Sequence, residues 1–163
     1  MNEGVEHSER ISIQLPQPDE ISERDREDAM GAYLMMFASV AVSMPLPIIN
    51  LIAAIIYYYS NRKKSKFIHF HCHQSLVSQI PTTVSNWVLL FVSIRIWLVK
   101  DWSFNQNFWY LLAFVVLANL AYIVFSLIAA VSARKGKLYH FLIFGQFSSR
   151  VVFSRQTEID YER

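Results

Sequence analysis

Residues 102–133 read WSFNQNFWYLLAFVVLANLAYIVFSLIAAVSA and contain no Asp, Glu, Lys or Arg. A membrane helix needs about 20 mostly apolar residues to cross a hydrocarbon core of about 30 Å. This stretch is long enough for one crossing and too short for two with a turn. Two more charge-free stretches, 29–61 and 67–94, have the same property. The spacing predicts spans at 33–59, 76–99 and 108–131. Composition agrees: 53% of the chain is hydrophobic and 17% is charged, whereas soluble domains carry about 25% charged residues. The sequence therefore reads as an all-α integral membrane protein with three transmembrane helices. The first is kinked or broken by proline, and 138–153 is a fourth helix, interfacial or embedded.

The charges are segregated. Residues 1–28 hold nine acids and three Arg, a net of −6; the other 135 residues hold four acids and twelve Lys/Arg, a net of +8. The overall +2 thus averages two unlike segments and does not point to nucleic acid. Residues 1–30 read as an acidic flexible arm, within which Ser22 is a candidate N-cap for a short helix over 21–30. No basic-then-apolar stretch of a cleavable signal appears there. With one cysteine, Cys72, no intrachain disulfide forms.

Basic residues near span ends set orientation. Arg62, Lys63, Lys64 and Lys66 follow the first span; Arg134, Lys135 and Lys137 follow the third. Both groups are expected on the cytoplasmic side of the cell's inner membrane. The second link holds only Lys100, with Arg95 as a snorkelling anchor. Pro45 and Pro47 interrupt the first stretch by removing donors and clashing with the preceding turn. A kinked single crossing is favoured and leaves the acidic arm outside; a re-entrant hairpin leaves it inside. Tyr57, Tyr58, Tyr59, Trp97, Trp102, Trp109, Tyr110 and Tyr139 fall at the boundaries, as an aromatic belt requires. The tail, 134–163, is basic and amphipathic.

Three groups carry candidate chemistry. His69, His71, Cys72 and His73 are potential ligands for zinc, copper or haem iron. On a helix His69 and His73 share a face and His71 points away, so a three-histidine site needs an extended backbone. Asn50, Asn86 and Asn119 fall near the middle of their spans, where amides find partners across helices; Asn86 and Asn119 are expected to pair, with Asn50 nearby. Ser126/Ala130 and Ala129/Ala133 are small-xxx-small spacings that permit close helix approach. The spans hold no Asp, Glu or Lys, which argues against proton-coupled transport and carboxylate-based hydrolysis.

Phe70-His71-Cys72-His73-Gln74-Ser75-Leu76 resembles the Phe-His-x-x-Gln-Ala-Leu signature of small bacterial membrane proteins. These are grouped with the twenty-kilodalton subunit of the chloroplast inner-envelope import translocon, the Tic complex. Pro45-x-Pro47-Ile48-Ile49-Asn50-Leu51-Ile52 is similar to that family's first segment. Residues 129–139 are similar to its closing Ala-x-Lys-Gly-Glu-x-Tyr, with Lys137 in place of the glutamate and Ser75 in place of the earlier alanine. The resemblance spans roughly 32–150. It implies a multi-helix membrane protein and, by analogy with the plastid members, a role in protein translocation.

The combined expectation is a non-enzymatic, cofactor-free subunit or accessory of a membrane assembly. It would contact the bilayer and other membrane subunits through His71, Gln74, Arg134, Lys135 and Gly136. Two alternatives stand beside it. One is a metal- or haem-binding protein using the histidine cluster; the other is an oligomeric channel for a neutral solute lined by the three asparagines.

Overall fold

A computed structural model of the chain describes residues 15–38, 47–99 and 104–153. All regular structure in it is helical. A 3-10 turn at Pro18–Glu20 leads into α1, Glu23–Leu34, and a second 3-10 turn follows at Met35–Phe37. Then come α2, Pro47–Asn61; α3, Lys66–Leu98; α4, Gln106–Arg134; and α5, Leu142–Phe153.

Local chemistry sets the helix ends. The Ser22 hydroxyl accepts from Asp25 N at 3.1 Å, and Glu23 and Asp25 lie in the first turn of α1, where carboxylates complement the helix dipole. Ser65 caps α3 by accepting from Ile68 N, and Asn105 caps α4 by accepting from Phe108 N. α4 closes in a Schellman turn: Lys137 N bonds to Ser132 O at 3.0 Å and Gly136 N to Ala133 O at 2.9 Å, with Gly136 at φ 72°. Pro81 sits inside α3 without ending it. Hydroxyls of Ser78, Thr82 and Ser85 bond the carbonyls of Ser75, Gln79 and Pro81; serine and threonine side chains of this kind help membrane helices tolerate proline.

α3 and α4 pack on each other, and these two helices are long and apolar enough to cross a membrane. At 1.5 Å per residue α3 is about 50 Å long, well beyond the hydrocarbon thickness. Its buried residues all fall between Phe67 and Thr83. Past them, Trp97 is 85% exposed, and Phe91, Trp109, Phe114 and Leu117 also project outward. In water such a surface would be an aggregation site; in a bilayer it is the lipid-facing half.

The first expected span does not form as one helix. α1 and α2 are separate, and the 15 residues of α2 reach only about 22 Å, short of a crossing. The Asp28 carboxylate of α1 lies 2.7 Å from Lys64 Nζ, just past α2. The Tyr57 hydroxyl of α2 donates to Asp28 O at 2.9 Å. Meanwhile Met36, Phe37 and Asn50 line one cavity with Asn86 and Asn119 of the paired helices. α1 and its following turn thus lie alongside α2 in opposite directions, with Asp28 near the end of α2 and Met36 and Phe37 near Asn50. This contact is the one expected of the hairpin alternative rather than of the favoured kinked crossing; the connection at 39–46, with Pro45, lies outside the described residues. Bulk also has to be absent for α1 and α2 to meet. A Cβ on Gly31 would strike the Tyr57 hydroxyl.

The acidic arm is likewise corrected in part. Its last ten residues are anchored rather than loose: Ile21 and Ala29 are buried, and α1 continues past the arm to bury Ala32 and Tyr33. α1 lies against α4 and α3, on the stripe formed by Ala129, Ala130 and Ala133. The small residues of α4 admit this amphiphilic helix rather than another span. α5, within the stretch where a fourth helix was expected, packs against α3.

Candidate functional site: the polar head of the bundle

The basic end of the bundle is closed by one buried network. Gln74 reaches from α3 toward the segment that follows α4. Its Nε2 donates to Tyr139 O at 3.0 Å, and its Oε1 accepts from Phe141 N at 3.2 Å. A backbone carbonyl can only accept and a backbone N–H can only donate, so these two contacts fix the amide orientation. Gln74 Nε2 also donates to the Tyr33 hydroxyl at 2.7 Å. Tyr33 is then best satisfied by sending its own proton to His71 Nδ1, 2.9 Å away, since no other acceptor for it is near among the described residues. A neutral His71 consequently carries its hydrogen on Nε2. That nitrogen is buried with no partner in bonding geometry, although the Lys137 backbone lies near enough to act on the ring. Burial raises the Tyr33 hydroxyl well above its usual pKa, against the opposing effect of the Gln74 hydrogen bond. Tyr33 therefore stays a donor. Beside this network Ser75 Oγ donates to Ala32 O at 2.7 Å, tying α3 to α1 again.

The two expected motifs meet here, though not directly. His71 and Gln74 engage Tyr33, Tyr139 and Phe141. Arg134 instead bonds the α1 carboxylates Glu23 and Glu27, at 3.0 and 3.2 Å. Lys135 is exposed and caps α4. Gly136 has a steric role: a Cβ there would lie 3.0 Å from Pro18 O and 3.2 Å from Arg26 Nε. Arg26 in turn donates to Pro18 O at 2.6 Å. Tyr33 is the residue that the sequence pattern did not single out. It falls at the start of an expected span, with nothing nearby to show that it returns to His71.

The histidine cluster is not gathered into a three-histidine set. The backbone is helical from Lys66, which keeps His69 and His73 on one face, ring centroids 6.5 Å apart, and turns His71 away from them. His69 Nε2 lies 3.1 Å from the Tyr58 hydroxyl, and His73 Nδ1 lies 2.9 Å from Ser148 Oγ. The His71 ring is engaged by Tyr33, and Cys72 is packed with Ala32 and Ile68. No group of three or more His, Cys, Asp or Glu among the described residues is placed to hold a metal.

Asn86 and Asn119 exchange two hydrogen bonds, each of 3.1 Å. Their amide nitrogens also bond Thr82 O and Val115 O, both at 2.8 Å. Asn50 lines the same cavity.

No curated protein and no solved structure matches the chain. A family match runs over residues 25–148, from α1 into α5. It corrects the resemblance to the import-translocon family, and protein translocation loses its support. The matched stretch contains the hairpin, both long helices and the Tyr33–His71–Gln74 network. The chain belongs to the MamF/MmsF family, the magnetosome magnetite crystal formation protein family.

Proposed function

We propose that this protein is a non-enzymatic accessory of the magnetosome membrane and that it influences magnetite crystal formation through the charged end of its bundle. The membrane meant is the one that the family description names, rather than the cell's inner membrane in general. The observation that carries the reading is the docking of an acidic helix on a basic membrane-protein end. Glu23 and Glu27 of α1 pair with Arg134 and Asp28 pairs with Lys64, while Asp25 adds a further carboxylate to the same helix. Such a surface presents both signs of charge within a few ångströms, fixed in place by buried packing. Charged surfaces concentrate counter-ions and orient what binds to them, which is what an ionic solid growing at a membrane requires.

The test is mineral growth on vesicles. Iron(II) and iron(III) are co-precipitated at alkaline pH with vesicles carrying the protein, with empty vesicles, and with vesicles carrying Glu23→Gln/Asp25→Asn/Glu27→Gln. Wild type shifts the particle-size distribution seen by electron microscopy, and the triple variant moves it back toward empty vesicles. Identical distributions for wild type and empty vesicles would overturn the proposal.

The same reading makes the protein part of a larger membrane assembly. Gentle solubilisation and pulldown recover a membrane partner in fixed ratio. Repeated recovery of the protein alone contradicts this part.

A further inference from the structure

A cavity of 240 Å³ lies where the hairpin meets α3 and α4. Its polar wall comes from Asn50, Gln79, Thr83, Asn86, Asn119 and Tyr122. The Asn86–Asn119 pair is fully engaged, through its mutual bonds and two backbone carbonyls. Gln79 is different. It is 2% exposed, and neither its amide nitrogen nor its amide oxygen has a hydrogen-bond partner among the described residues. The Tyr122 hydroxyl is also buried without a partner in strict bonding geometry; Ser126, Ser78 and Gln79 are the polar side chains close enough to act on it. A buried polar group left unmet is costly, and native structures meet nearly all of them with protein, water or ligand.

Size and charge define what fits. At about 30 Å³ per water the space equals some eight waters, below the usual range for drug-sized ligands. No carboxylate, ammonium or guanidinium lines it. An ion would lose its hydration at membrane depth with no counter-charge. Gln79 offers donors and an acceptor together, and a phenol can do both.

We propose that this cavity is a binding site for a small uncharged molecule of the amide or polyol class, held by Gln79 and Tyr122 beside the Asn86–Asn119 pair. It is a site within one chain, not a pore shared between copies. It is independent of the mineral-facing surface.

The experiment uses the full chain in lipid nanodiscs and saturation-transfer NMR, with acetamide and glycerol as probes and acetate as the charged comparison. At least one neutral probe receives saturation above the level in empty nanodiscs, and acetate does not. Gln79→Leu lowers that signal about five- to tenfold, the loss of one or two hydrogen bonds. Without probe, Gln79→Leu melts no lower than wild type, because no described group bonds that amide in strict hydrogen-bonding geometry. Should that variant misfold, Tyr122→Phe provides the same comparison. Signals no higher than in empty nanodiscs, signals unchanged in both variants, or equal saturation of acetate each overturn the proposal.

Discussion

The Tyr33 hydroxyl of α1 lies 2.9 Å from His71 Nδ1 of α3, with both side chains fully buried. The direction of that bond follows from two backbone groups further on, Tyr139 O and Phe141 N, which orient Gln74. His71 is therefore expected as the Nε2–H tautomer, and ¹⁵N NMR of histidine-labelled protein reads this directly. Tyr33→Phe strands His71 Nδ1 and lowers stability by about 1–3 kcal/mol. A Nδ1–H tautomer in wild type contradicts the network.

The glycine at the end of α4 is required by both backbone and neighbour. At φ 72° an alanine pays about 1–2 kcal/mol for the left-handed conformation, and its Cβ presses on Pro18 O. Gly136→Ala should speed amide exchange in residues 17–22 before it affects α3. Unchanged exchange in that segment would show that the turn does not hold the arm.

Magnitudes decide what holds α1. Its ion pairs are exposed: the side chains of Arg134 and Glu23 are 39% and 77% accessible. Pairs of this kind contribute about 0–1 kcal/mol. Ala29 and Ala133 are both 0% exposed in one core, where added bulk costs about 1–3 kcal/mol. Ala133→Leu therefore lowers the melting temperature in mild detergent more than Arg134→Ala does. The reverse order would make charge, not packing, the anchor.

At membrane depth, Asn119→Leu removes two cross-helix bonds of about 0.6–2 kcal/mol each. It leaves Asn86 with Thr82 O. Melting should fall, and adding Asn86→Leu should cost less than the two single changes summed. Simple additivity would mean that the pair contributes nothing as a pair.

The two long helices were legible because a run of about thirty residues without charge suits lipid and is rarely found on a water-facing surface. The Asn86–Asn119 contact was legible because buried amides must find partners. α1 was harder: its buried side is two alanines and a tyrosine, too sparse for an apolar stripe. The alanine and serine spacing on α4 was visible, but spacing does not name the partner. Gln79 was missed because an uncharged amide two residues before Pro81 carries no pattern that marks it as buried. The motif around His71 and Gln74 suggested the wrong family for a physical reason. Those residues close the head of the bundle, so they report how the chain packs rather than what it works on.

The central claim is that α1, the link after α2 and the end of α4 form one charged face on one side of the membrane. Single cysteines at Asp25, Lys63 and Lys135, in a Cys72→Ala background, can be labelled with an impermeant maleimide in sealed, uniformly oriented vesicles. The account predicts that all three react from the same side. Labelling of Asp25→Cys from the side opposite to Lys63→Cys would contradict the hairpin, and with it the charged face on which the proposed function rests.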